Sequence, residues 1–179
     1  MEDFDILYAE EGIINSNVAA VIKKAKRIAT FFHQSPKACN TLKEECSKRA
    51  LHYYRLVQCV STRWNSAYFM LRRIYNCFDC INLVLVILGT DIEILRSADR
   101  VIMHDVLKCL TPFADATEEL SGEKYVTISL IIVSVGLLLD QLKDVYKELK
   151  SEPGRNLLET LMKESEKRLL QYESRIVRM

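Results

Sequence analysis

Val18-Ala19-Ala20-Val21-Ile22-Lys23-Lys24-Ala25-Lys26-Arg27-Ile28-Ala29-Thr30-Phe31-Phe32 is the stretch that decides the fold class. Val18, Val21, Ile22, Ala25, Ile28, Ala29 and Phe32 recur at steps of three and four, which on a helix lines them along one stripe. The opposite face carries Lys23, Lys24, Lys26 and Arg27. Asn15, Ser16 and Asn17 just before it offer an N-cap. Ser35-Pro36 just after it ends this helix and starts another, because Ser accepts free amide hydrogens and Pro fits a first helical turn. The second helix is expected to run to about Ala50 with Leu42 and Cys46 inward.

The pattern continues along the chain. Tyr53 to Val60 loses the helical period and reads as a short extended segment. From Ser61 or Thr62 as caps, Trp64, Tyr68, Leu71, Ile74, Tyr75, Phe78, Ile81, Leu85 and Leu88 predict one long helix ending at Gly89. Ser97 caps a helix with Val101, Ile102, Leu107, Leu110 and Phe113 inward, and Pro112 is expected to kink or break it. Ser121-Gly122 marks a turn. Thr127 caps a buried apolar helix that continues through Leu142, Val145 and Leu149 until Pro153-Gly154 stops it. Leu157, Leu158, Leu161, Leu169 and Tyr172 lie along a charged last helix.

Composition agrees. A chain of 179 residues is one domain on a prior of roughly 150 per domain, and 49% hydrophobic with 27% charged residues excludes disorder. Five Gly and three Pro are too few for the turns of a β-sandwich or barrel. The expected fold class is therefore all-α, a helical bundle with one short extended segment. Six scattered Cys and an acidic start, Met1-Glu2-Asp3-Phe4-Asp5, match neither a disulfide scaffold nor a signal peptide. The longest apolar run, Val126 to Leu139, is shorter than the ~20 residues of a membrane span and contains Thr127, Ser129, Ser134 and Gly136. No membrane partner is expected.

The net charge of +1 conceals segregation: residues 1–16 carry −5, residues 17–75 carry +10 and residues 76–179 carry −4. Such a basic block attracts a polyanion through Coulomb forces and counterion release. Equally, its bases can be solvated helix faces or partners of the acidic half.

Local chemistry for catalysis is thin. Cys77-Phe78-Asp79-Cys80 has the spacing of half a zinc site, but no second half exists, and such thiols are commonly small buried hydrophobes. His33, His52 and His104 stand isolated, and no Gly-rich phosphate loop is present. No small-molecule substrate is implied. The exception is Val60-Ser61-Thr62-Arg63-Trp64-Asn65-Ser66, which sets the sole Trp beside an Arg at an expected helix start within the basic block. Together they offer a phosphate contact, free backbone donors and a flat surface for an unstacked base. The competing reading makes Trp64 a core anchor.

These residues carry a family resemblance. Ser61-Thr62-Arg63-Trp64-Asn65-Ser66, followed by Tyr68, Met70-Leu71 and Arg73-Ile74, resembles the "TRWNSTY-x-ML-x-R" block of hAT superfamily transposases and of the BED-type zinc-finger proteins derived from them. Three more blocks agree in order. Ile28 to Phe32 with Ser35-Pro36-Lys37-Ala38 is similar to "F-x-x-SPKA". Leu110-Thr111-Pro112-Phe113, Ala116-Thr117 and Leu120-Ser121-Gly122-Glu123 with Tyr125 and Thr127 resemble "L-x-PF…AT-x-x-LSGE-x-Y-x-T". Leu161, Arg168 and Tyr172 resemble a later helix. The resemblance covers residues 18 to 175, and Cys59 departs from it where an acidic residue is frequent.

The resemblance implies a nuclear, transposon-derived protein whose family cuts DNA with a carboxylate triad on a ribonuclease-H-like core. A helical domain is inserted within that core, and residues 17–179 correspond to most of the insertion, after an acidic extension over residues 1–16. The catalytic core, the BED finger and the dimerisation region have no counterpart here. The expectation is thus a catalytically incomplete, non-enzymatic DNA-binding fragment. Zinc and divalent metal belong only to the missing parts, so no cofactor is expected. In active relatives the matching tryptophan stacks on an extruded base, a role that carries over to Trp64, with Arg63, Lys23, Lys24, Lys26, Arg27 and Arg73 on phosphates. The alternative is a helical protein-interaction or homo-oligomerisation module, or a remnant without selected function.

Overall fold

A computed structural model describes residues 15–60, 64–122 and 128–176. Among these lie seven helices and no strand: α1 Ser16–Gln34, α2 Pro36–Lys48, α3 Trp64–Asn76, α4 Phe78–Ile87, α5 Ser97–Gly122, α6 Ile128–Tyr146 and α7 Glu152–Ile176. The all-α expectation holds. Residues 1–14 of the acidic extension and the expected caps Ser61, Thr62 and Thr127 lie outside the described residues, as does Arg63.

α5 is the hub and packs against α1, α3, α6 and α7, while α2 rests on α4. The predicted stripe of α1 is the buried one: Val18, Val21, Ile22, Ala25, Ile28, Ala29 and Phe32 all join the core. Asn15 caps α1 by accepting from the Asn17 amide at 2.9 Å, and Ser35 caps α2 by accepting from the Ala38 amide at 3.2 Å.

Several expectations need correction. Residues 51–60 form no regular element, although Leu56 anchors the stretch in the core. The long helix from Trp64 to Gly89 is two helices broken at Cys77. The apolar period runs on unchanged because α3 and α4 serve the same core, so periodicity does not register a one-residue joint. Pro112 lies inside the continuous α5. Val101, expected inward, is 39% exposed. At the start of α5 the acceptor is Asp99, not Ser97: its Oδ2 takes the Arg96 amide at 2.9 Å.

α6 ends at Tyr146, and Pro153-Gly154 opens α7 behind its cap Ser151, whose Oγ accepts from the Gly154 amide at 3.1 Å. Nor is α6 buried all round. Ser134, Leu138 and Leu142 face the core, whereas Val133 and Leu137 are each 58% exposed. Among the described residues no helix is long and apolar enough to cross a membrane.

Candidate nucleic-acid interface

The seven residues expected to meet DNA fall into distinct environments. Lys23 and Arg27 sit one turn apart on the solvent face of α1 and are exposed. Lys26, between them in sequence, is half-buried. Lys24 is committed elsewhere. Its Nζ lies 2.8 Å from Glu93 Oε1 and 3.2 Å from Asp99 Oδ2, joining α1 to the start of α5. The hydrogen bond to Glu93 raises the Lys24 pKa despite partial desolvation, and the same contact lowers that of Glu93. The charge of Lys24 is therefore neutralised within the fold.

Arg73 is also engaged. Its guanidinium donates to the Arg55 carbonyl and lies 5.9 Å from the centre of the Tyr54 ring, so it holds the irregular segment against α3. Trp64 is the first residue of α3, as its position in the sequence predicts, but its side chain, like all of Arg63, lies outside what the structure describes.

The remainder of the Trp motif has clear structural work. Ser66 Oγ accepts from the Val60 amide at 2.8 Å and donates to the Val60 carbonyl at 3.0 Å, closing the chain back on the first turn of α3. Tyr68 is buried. Thr111 Oγ1 donates to the Leu107 carbonyl at 2.8 Å, so the Tyr68 hydroxyl is the donor in its 3.3 Å bond to Thr111. This bond joins the Trp block on α3 to the Leu110–Phe113 block on α5.

The two blocks also enclose a groove that sequence reasoning missed. Its cavity is about 500 Å³, walled by Asn65, Tyr68, Phe69 and Arg72 of α3 and by Ala114, Asp115, Thr117, Glu118 and Ser121 of α5. Phe69 is 42% exposed, and the Asn65 Oδ1 atom is buried without a hydrogen-bond partner. A signal was available: Asn65, Phe69 and Arg72 lie four and then three residues apart, as Asp115 and Glu118 lie three apart, and each set shares one helix face. Arg72 is exposed where its neighbour Arg73 is bound.

Among the described residues no group of three or more His, Cys, Asp or Glu is arranged to hold a metal ion. Cys77 and Cys80 are buried, and Cys77 Sγ lies 3.8 Å from Cys46 Sγ. Burial drives the Cys46 and Cys77 thiols above their ordinary values. Cys109, buried and near Asp105, is pushed up to about 12.

Comparison with known proteins adds ancestry. The chain is 30% identical over 132 residues to the human "Zinc finger BED domain-containing protein 4", a match covering 73% of this chain and 11% of that protein. It is 31% identical over 151 residues to the maize "Putative AC9 transposase", covering 69% of this chain and 18% of the relative. It thus spans under a fifth of the length of either. No family model matches the chain. No solved structure matches it either. The motif blocks on α1 to α5 and these two relatives agree, and the chain belongs to the hAT and BED-type family of transposases and transposase-derived proteins.

Proposed function

We propose that this transposase-derived chain contacts DNA in the nucleus through the basic block of residues 17–75, and that it does so as a helical insertion-domain fragment contributing no catalytic carboxylate. The observation that carries the reading is the pair of exposed bases Lys23 and Arg27 on α1, set in a block of net charge +10. Neither has an ion-pair partner among the described residues, so each is available to a phosphate. Arg63 and Trp64 supply the second contact, with the indole as a stacking surface for an extruded base. Extrusion costs a few kcal/mol, and aromatic stacking returns roughly 1–3 kcal/mol per base. Lys24, paired with Glu93 and Asp99, and Arg73, bound to the Arg55 carbonyl, are engaged within the fold and stand outside the phosphate contacts. Lys26, half-exposed between Lys23 and Arg27, lies at the edge of their surface. The names of both relatives, a transposase and a BED zinc-finger protein, favour the same reading.

The test is binding of the chain to hairpin and single-stranded DNA over a range of salt. Each of Lys23→Ala and Arg27→Ala is expected to weaken binding alike on all sequences and to reduce the salt slope by about 1. Trp64→Ala is expected to weaken binding to hairpins with an unpaired base more than to plain duplex. Binding that ignores salt, or a folded Trp64→Ala protein of unchanged affinity, would overturn it.

One observation favours a second reading, an oligomerisation module: Val133 and Leu137 stand exposed one turn apart on α6. Sedimentation at increasing concentration decides it. A monomer throughout removes this reading, and a dimer lost in Leu137→Glu supports it.

A further inference from the structure

We infer that the groove between α3 and the second half of α5 is a docking site for a basic peptide segment, seating an arginine or lysine side chain of a protein partner. The groove shares α3 with the Trp64 end of the basic block, but none of its walls belongs to the Lys23–Arg27 surface on α1.

The charges in the groove select the ligand. Asp115 and Glu118 lie three residues apart on the same face of α5, both exposed and neither with an ion pair among the described residues. Glu119 is exposed beside them, and no base occurs between Phe113 and Gly122. The lining sets two carboxylates, Asp115 and Glu118, against one base, Arg72, so its net charge is negative and favours a cation over a polyanion. The opposite wall suits the same ligand. Phe69 offers an exposed ring, with the Tyr68 ring set edge-on 5.4 Å away, and an aromatic face attracts a guanidinium or ammonium.

The remaining polar atoms fit a peptide better than a bare cation. Arg72 is the only base among the described residues of the lining, and its guanidinium suits the main-chain carbonyls that flank a basic side chain. The hydroxyls of Thr117 and Ser121 add acceptors to the lining, which a donor-rich segment satisfies. A cavity of about 500 Å³ has room for one long side chain with its adjoining backbone.

The experiment is fluorescence anisotropy of the folded chain with a short labelled peptide of arginine, lysine and glycine. A copy with glutamate in place of the bases is the control. Saturable binding of the basic peptide alone, weakened by salt, is expected. Asp115→Asn combined with Glu118→Gln is expected to weaken it about tenfold, and Phe69→Ala severalfold, whereas Asp140→Asn with Asp144→Asn on α6 leaves it unchanged. All these positions are exposed, and circular dichroism checks the fold. Absence of saturation overturns the proposal, as does equal affinity in the Asp115/Glu118 variant. A labelled oligonucleotide that displaces the peptide and loses affinity in the same variants assigns the groove to nucleic acid and overturns it too. Self-association abolished by those variants assigns it to a second copy, with the same consequence.

Discussion

Two residues show how local stereochemistry ends helices in this chain. Gly89 follows α4 at φ +58°, and the Thr90 amide reaches back to the Leu85 carbonyl at 3.2 Å. The same arrangement follows α2 without a glycine. Ala50 sits at φ +53°, and the Leu51 amide donates to the Cys46 carbonyl at 2.9 Å. A Cβ in that region costs roughly 1 kcal/mol. Ala50 is exposed and its side chain supports little, so Ala50→Gly is expected to stabilise the fold by up to about 1 kcal/mol, read as a higher midpoint in urea with an unchanged slope. Because helix-stop reasoning looks for glycine, this stop was legible only as an approximate boundary.

At the scale of elements, the sequence was legible where one face is apolar and the other charged. The α1 stripe and both caps flanking it follow from residue spacing and capping chemistry alone. Legibility failed where two physical signals coincide. The α3–α4 joint hides beneath a continuous stripe, and Pro153-Gly154 reads as a stop although Ser151 makes it a start. The groove was invisible for another reason: its walls come from helices more than forty residues apart, whose facing is a tertiary fact. Within the Trp motif, the backbone role of Ser66 was equally hidden, because its partner Val60 lies across the turn before α3. Ser66→Ala removes the partner of both polar groups of Val60, which are exposed to water, so it is expected to cost about 0.5–1 kcal/mol and to speed hydrogen exchange at the start of α3. An unchanged exchange rate there would show that the closure on Val60 contributes nothing.

At the scale of the whole molecule, one carboxylate ties the hub to the far end of the chain. Asp105 on α5 is fully buried, and its Oδ2 accepts from the Lys150 amide at 3.0 Å and from the Ser151 amide and hydroxyl at 2.6 Å each. His104 Nδ1 lies 3.2 Å from Oδ1. Burial pushes the Asp105 pKa up, but the hydrogen bonds from Ser151, His104 and Lys150 outweigh it, and the net shift is downward. A lowered carboxylate contributes stability that is complete above its unfolded value of about 4 and is lost as pH falls through its folded value. Stability is therefore expected to fall below about pH 4, and Asp105→Asn to flatten that dependence while lowering stability at neutral pH. The same junction demands glycine. A Cβ at Gly154 would lie 2.6 Å from Asp105 Cβ, so Gly154→Ala is expected to destabilise by roughly 1–3 kcal/mol in thermal melts.

The cysteines make the chain its own reporter of breathing. Cys46, Cys77, Cys80 and Cys109 are sealed and, where burial shifts them, strongly protonated, while Cys39 and Cys59 are only half covered. An alkylating reagent must wait for the α2–α4 seam or the α5–α7 seam to part before it meets a sealed thiolate. The order in which the six sulfurs are captured then ranks the seams of this bundle by how readily each one opens, without any added label.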